Sequence, residues 1–367
     1  MIVNEDRFFL SHRKEIAVEA LKADFDVTIV CKDTGRMDEV KALGLKTLDL
    51  PINPTGTHLR EEWKTYRFLK KLYKDEQPDI VHHVGLKNIL WGGLAAKRVK
   101  VRGVVNAVSG LGVLFSGSRP SLMTRMIMTV IKYANRRNNL AVIFQNNEDK
   151  DLFLRHHIVK ETQCQFIKGS GVDLKKYAYV PDPGGKVIRV IFTARMVKEK
   201  GVLVLIEAAE RLRAKMSDKI EFLLCGDLSA NPKALSREEL ERLCDGQYIK
   251  WLGFRRDVKE LLTQSHIMAF PSYYREGVPK SLIEACAIGR PIITTQWYGC
   301  KDTVDEGENG FLIPVKDSNA LAERIEQLAN DPLLRNTMGK KGREKAEREF
   351  SVDDVVNRHL TIYRHLL

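Results

Sequence analysis

Short apolar runs alternate with longer amphipathic stretches along the whole chain. Strands covered on both faces read as near-continuous hydrophobic segments, so this alternation predicts parallel α/β layers. In the first half the strand runs are Val27–Cys31, Asp79–His82, Val101–Ala107, Ala141–Gln145 and Cys164–Ile167. In the second half they are Val187–Thr193, Ile220–Cys225, Ile249–Leu252, His266–Phe270, Pro291–Thr295 and Gly310–Ile313. Periodic helices fall between them, among them Val202–Met216 and Leu282–Ile288. The segment Pro181-Asp-Pro-Gly-Gly185 has linker chemistry and separates the halves. The tail Ser351–Leu367 reads as a helix capped by Ser351, with Asp353 and Asp354 in its first turn. The pattern predicts two doubly wound Rossmann-like domains facing each other across a cleft, residues 1–175 and 176–350, with the tail 351–367 packing on either. Such sheets take ligands at the carboxyl ends of their strands.

Length agrees, since 367 residues suit two domains rather than one core. No apolar run is long enough for a membrane-spanning helix, and no basic-then-apolar leader pattern opens the chain. Cys31, Cys164, Cys225, Cys244, Cys286 and Cys300 are scattered without a Cys-x-x-Cys pair, which reads as reduced thiols in a cytoplasmic protein. The net charge of +12 changes the picture more. Residues 51–140 hold 16 Lys/Arg against 5 Asp/Glu, whereas residues 181–367 are nearly balanced at 30 against 28. The basic half could attract nucleic acid, an anionic bilayer or a phosphorylated acceptor, or simply be well solvated. No nucleic-acid recognition motif accompanies the charge.

The densest chemistry is Glu276-Gly-Val-Pro-Lys-Ser-Leu-Ile-Glu284. Pro279 suits the first helical position, and the amides of Lys280, Ser281 and Leu282 would then point from a helix start, a ready phosphate site. Gly277 permits close backbone approach to a ligand. Glu276 precedes the helix and Glu284 lies about 7.5 Å along its axis, so two carboxylates flank an anion site. A ligand with hydroxyls at both ends and phosphates between them, a nucleotide sugar, fits this arrangement; a capped helix with an incidental surface Glu fits the spacing too. In the same half, the strand ending at Ala194 leads into Arg195-Met-Val-Lys-Glu-Lys200-Gly201. Arg195 and Lys200 could clamp a diphosphate from the other side, although lysine-rich turns are often only solvated.

Arg195, Lys200, Glu276 and Glu284 together resemble the family-4 retaining glycosyltransferases of GT-B architecture. The run Pro271 to Ile293, Gly169-Ser-Gly-Val-Asp173, Trp251-Leu-Gly-Phe-Arg255 and Asn309-Gly-Phe-Leu-Ile-Pro314 are similar to that family. In the first half, Phe8 to Arg13, Asp79-Ile-Val-His-His83 and Asn106-Ala-Val-Ser-Gly-Leu-Gly112 resemble bacterial members that extend undecaprenyl-diphosphate-linked sugars for capsule, O-antigen or glycoprotein glycans. The resemblance implies an N-terminal acceptor domain, a C-terminal nucleotide-sugar domain, and a last helix that crosses back to the first. It implies that Arg195 and Lys200 bind the diphosphate and Glu284 the ribose hydroxyls. Glu276, Gly277 and Val278 would hold the sugar, Phe254 and Arg255 would line the base, and Gly171 would sit near the interdomain cleft. It implies a UDP-linked hexose or N-acetylhexosamine, a lipid-linked sugar acceptor, and no metal or other cofactor, in line with the lack of a convincing Asp-x-Asp motif. Many relatives open with a longer first strand and a Gly-rich loop, whereas this chain opens Met1-Ile-Val-Asn-Glu5.

His82, His83, Asn106 and Ser109 are acceptor-side candidates, though a buried histidine at a strand end is commonly structural. The stretch Ser121 to Arg137 carries Met, Ile, Val, Arg and Lys without an acid, which suits either an anionic bilayer surface on the inner face of the membrane or an ordinary core-facing helix. A non-catalytic sugar-nucleotide scaffold and a GT-B epimerase fit the same motifs. A dehydrogenase does not, because no Gly-x-Gly-x-x-Gly follows the first strand.

Overall fold

The computed structural model describes residues 1–53, 58–112, 121–229 and 234–367. The chain divides into two units, Met1–Gly171 with Val352–Leu367, and Val172–Ser351.

The first unit is a seven-stranded sheet built from β1 (Ile2–Glu5), β2 (Thr28–Lys32), β3 (Lys46–Asp49), β4 (Ile80–Val84), β5 (Gly103–Val108), β6 (Leu140–Phe144) and β7 (Cys164–Phe166), in the order β3-β2-β1-β4-β5-β6-β7. Every paired strand is parallel. All residues of β5 and β6 are buried, so β6 is an unbroken apolar run and β5 departs from one only at Asn106. β3, Lys-Thr-Leu-Asp, closes the sheet edge, half exposed and without an apolar run to announce it. The final helix, Val352–Leu366, covers one face of this sheet through Val355, Val356, Leu360, Tyr363 and Leu366. Gly171 turns the chain into that contact. Its φ is +73°, and a Cβ there would stand 2.7 Å from Val352 Cα, so glycine is required twice over.

The second unit repeats the plan with β8 (Ile188–Thr193), β9 (Ile220–Cys225), β10 (Ile249–Gly253), β11 (Ile267–Phe270), β12 (Ile292–Thr295) and β13 (Gly310–Ile313), ordered β10-β9-β8-β11-β12-β13. Strand order reverses between β8 and β11, which opens a crevice at their carboxyl ends. The segment Pro181–Gly185 is not a linker. Asp182 pairs with Arg335 at 2.6 Å, both nearly buried, Arg290 donates to the Pro181 carbonyl at 2.9 Å, and His266 Nε2 meets the Gly184 carbonyl at 2.8 Å. Its Pro and Gly shape a turn that distant basic side chains pin to the second unit; the two crossings between units fall at Gly171–Val172 and Ser351–Val352.

The histidines of the first unit sit inside it. His82 Nδ1 meets the Tyr363 hydroxyl of the final helix at 2.7 Å, and its ring lies 5.6 Å from that of His359. His83 bridges the Tyr73 hydroxyl at 2.9 Å and Asn106 Oδ1 at 2.8 Å. Burial pushes all three imidazoles down, His83 to about 4, His359 to about 3 and His82 well below its ordinary value, with the buried Arg13 guanidinium adding repulsion for His82 and His359. In the unfolded chain the same groups take protons near pH 6.5. Above that pH neither state is protonated and these groups cost nothing; as pH falls through it, only the unfolded chain gains protons and the fold loses stability. From pH 7.5 to 5.5, His83 and His359 alone should cost the first unit about 3 kcal/mol. Urea titrations at the two pH values check this, with His359→Leu expected to remove about half of that loss; a pH-independent midpoint would contradict it.

Candidate functional site

The crevice of the second unit collects the charged candidates. β8 ends at Thr193, and the next residues present Arg195 to solvent, where it makes no ion pair among the described residues. One 3₁₀ turn, Lys198–Lys200, then leads to Gly201, whose φ is +88° and whose imagined Cβ would lie 2.1 Å from the Pro271 carbonyl oxygen. That approach brings the loop after β8 against the loop after β11. The Tyr273 amide donates to the Glu199 carbonyl at 2.9 Å across the join. Lys200 Nζ consequently meets Glu276 Oε1 in an ion pair whose side chains are mostly buried. Ser272 Oγ lies 3.2 Å from the same carboxylate oxygen, and the ammonium stands 5.1 Å over the Tyr274 ring and 5.8 Å over Phe270.

Behind Glu276 the chain is pinned from the other side. Gly299, in the loop after β12, has φ +71°, and a Cβ on it would collide with the Gly277 carbonyl. Gly277, Val278 and Pro279 are buried beneath this contact. Pro279 is not the first helical residue. Its ψ of 124° keeps it extended ahead of the helix Lys280–Ile288, and its carbonyl takes the Leu282 and Ile283 amides at 3.1 and 3.3 Å. Of the three amides expected to face an anion, that of Leu282 is therefore engaged, while the Ser281 amide has no partner among the described residues. One turn on, Glu284 is buried; burial pushes its carboxyl up, against opposing pulls from the Lys280 charge, a Tyr177 hydroxyl hydrogen bond and the Lys176 charge.

Phe254 and Arg255 follow β10 on the same carboxyl edge of the sheet, Phe254 being 56% exposed and Arg255 holding Asp257 at 2.7 Å. The site thus gathers cations, a helix start and two carboxylates at a strand-order switch, which is an arrangement for a diphosphate flanked by hydroxyl-bearing groups. Among the described residues no group of three or more His, Cys, Asp or Glu side chains could hold a metal ion.

Residues 181–345 match the family described as Glycosyl transferases group 1, and residues 1–146 match Glycosyl transferase 4-like. The chain belongs to these glycosyltransferases. It is 27% identical, over 97% of its length and 96% of the relative, to the N,N'-diacetylbacillosaminyl-diphospho-undecaprenol alpha-1,3-N-acetylgalactosaminyltransferase of Campylobacter jejuni. It is 26% identical, over 92% of its length and 89% of the relative, to the UDP-Gal:alpha-D-GlcNAc-diphosphoundecaprenol alpha-1,3-galactosyltransferase of Escherichia coli. The Anabaena HepE protein, solved in complex with UDP-glucose, shares the GT-B fold with a TM-score of 0.78 at 20% identity, covering 100% of this chain and 99% of that one.

In this glycosyltransferase the acceptor-side candidates fare unequally. His82, His83 and Asn106 are buried with protein partners, because β4 and β5 are covered on both faces. Ser109 alone is half-exposed, just past the carboxyl end of β5. Gly171 lies in the first unit, where the close approach of Val352 explains it. The spacing of motifs did not reveal Ser272, Tyr177 or Gly299; a signal for Gly299 existed, since Trp297-Tyr-Gly299 follows the end of a predicted strand.

The Lys200–Glu276 pair has a measurable consequence. Removing one member of a mostly buried pair strands the other, so Lys200→Ala should cost the second unit roughly 3 kcal/mol, whereas Lys200→Ala with Glu276→Gln should recover most of it. Denaturant titrations of both singles and the double close the cycle; additive effects would mean the two groups are not coupled.

Proposed function

We propose that this glycosyltransferase moves a hexose or N-acetylhexosamine from a UDP-linked donor to a lipid-diphosphate-linked sugar, with retention of anomeric configuration. The Lys200–Glu276 contact beside the helix start at Lys280 carries the reading, because it sets a diphosphate-seeking cation next to a hydroxyl-seeking carboxylate. The undecaprenyl-diphosphate sugars and alpha linkages in the names of the two relatives, and the UDP-glucose in the HepE complex, support the substrate classes.

In this scheme Arg195, Lys200 and the Ser281 amide hold the two phosphates. Glu284 accepts from the ribose hydroxyls, Glu276 and the Gly277–Val278 backbone accept from and donate to the sugar, and Phe254 with Arg255 lies along the base. The bond from the anomeric carbon to the diphosphate oxygen breaks, the acceptor oxygen bonds to that carbon on the same face, and the acceptor proton passes to the departing diphosphate. No protein nucleophile is needed; the cations stabilise charge that develops on the leaving group.

A bilayer contact fits the same acceptor. On the helix Leu122–Asn135, Leu122, Met123 and Met126 are 76%, 57% and 62% exposed beside the exposed Arg125. Trp63 is also exposed on the helix Leu59–Glu76, among Arg60, Lys64 and Arg67. Apolar tips rimmed by cations suit the headgroup layer of an anionic membrane. No helix among the described residues is long and apolar enough to cross one. We therefore infer peripheral attachment on the cytoplasmic face.

Arg195→Ala is the cleanest test of the catalytic reading, because this side chain is exposed and makes no ion pair among the described residues. Transfer from UDP-sugars should fall about 10²- to 10³-fold with unchanged thermal stability; near-normal turnover would overturn its role. Glu284→Gln should weaken donor binding about tenfold. For the bilayer contact, the protein should float with phosphatidylglycerol vesicles at low salt, and Leu122→Glu with Met126→Glu should abolish flotation; equal flotation of the variant would contradict it.

A further inference from the structure

A second basic site lies at the opposite edge of the first unit, far along the fold from the carboxyl strand ends. A cavity of about 590 Å³ opens where the helices Leu122–Asn135 and Asn147–Arg155 end and β6 and β7 begin. Lys132, Arg136, Arg137 and Lys160 line it together with His157 and Asn135. None of these lysines and arginines makes an ion pair among the described residues, and the acid on the rim, Glu161, is already held by Lys150 at 2.6 Å.

Capping two helix ends does not account for this charge. Each helix C-terminus presents about half a negative charge, so two of them offset about one cation. Lys132 also donates to the His156 carbonyl and Arg137 to the Val101 and Arg102 carbonyls, contacts that satisfy donors without supplying a full counter-charge. The crowding has an electrostatic signature: burial first, then the charges of Arg137 and Arg136, press the neighbouring Lys97 ammonium down.

A buried relay of donors ends at the same place. The Tyr73 hydroxyl and His83 Nε2 are 2.9 Å apart, His83 Nδ1 and Asn106 Oδ1 2.8 Å, and Asn106 Nδ2 donates to Asn135 Oδ1 at 3.0 Å. Because a carbonyl oxygen only accepts, the Asn106 contact fixes the proton on His83 Nδ1, and every link points outward. The last donor, Asn135 Nδ2, has no acceptor although Asn135 is only 4% exposed, and the buried Arg137 Nε also lacks one. Buried donors left without an acceptor are costly, and here they lie on residues that line the basic cavity.

We propose that this cavity is an anion site distinct from the donor crevice, taking a phosphate or diphosphate group that is either free in solution or carried by a lipid headgroup. The anion neutralises the surplus cations and supplies the acceptor at which the donor relay stops.

Calorimetric titration with inorganic pyrophosphate tests it on the full chain saturated with UDP, which occupies the donor crevice. One remaining site is expected, lost or weakened at least tenfold in Lys132→Glu with Arg136→Glu. Should that charge reversal abolish the cooperative melt, Lys160→Ala at the rim, expected to weaken binding several-fold, is read in its place. Phosphatidylglycerol vesicles that compete with pyrophosphate identify a headgroup as the source, and vesicles that do not compete identify the free anion. No binding to the UDP-saturated chain, or equal binding to the variants, overturns the site. A chain that binds pyrophosphate here but not UDP would instead count against the donor reading alone.

Discussion

A mostly buried lysine facing a mostly buried glutamate organises the second unit. Taking both charges out of water costs several kcal/mol apiece, and only close mutual contact offsets it. The backbone enforces that contact from two directions. Gly201 lets the loop after β8 press on Pro271, and Gly299 lets the loop after β12 press on Gly277. Without both approaches Lys200 and Glu276 would each relax toward solvent, and the ammonium would lose its place over Tyr274. On the proposed reading, an incoming diphosphate would meet a cation already desolvated and oriented, one whose counterion could turn to the sugar. Such an arrangement needs little reorganisation when charge develops on the leaving group.

Strands were readable where burial on both faces left only apolar residues, as in Leu140–Phe144 and Ile267–Phe270. They were unreadable where one edge meets water, as in Lys46–Asp49. The Pro181–Gly185 turn shows a second limit. Its composition signals a change of direction, yet whether the chain there is loose depends on Arg290 and Arg335, more than a hundred residues away. The site divides the same way. The residue types of Arg195, Lys200, Glu276 and Glu284 were legible from strand ends and a helix start. The pairing of Lys200 with Glu276 was not, since it rests on glycine-to-carbonyl approaches between separate loops. The entry to the helix at Lys280 shifted by one residue because Pro279 serves as its cap.

The first unit spends its polar core differently. His82 meets Tyr363 and His83 meets Asn106, strand and helix residues paired inside the fold. The structure holds these strand-end histidines inside the fold, and buried nitrogens without a hydrogen-bond partner remain at His82 Nε2, His359 Nε2 and Asn135 Nδ2. The two basic regions of this unit also differ in kind. Around Leu122 and Trp63 the cations rim exposed apolar tips, while around Arg137 they converge on a concave surface lined with polar groups.

The path of the chain also dictates an order of events during synthesis. The helix Val352–Leu366 supplies part of the core beneath β4 and β5, yet it leaves the ribosome after all of Val172–Ser351. The later-made unit has every strand it needs and is able to close first. The earlier-made one must wait with the apolar face around Val84, Val105 and Ile143 uncovered. The half of the protein translated first is the half completed last, so a ribosome stalled before Val352 would display a nascent chain that chaperones recognise by that open face.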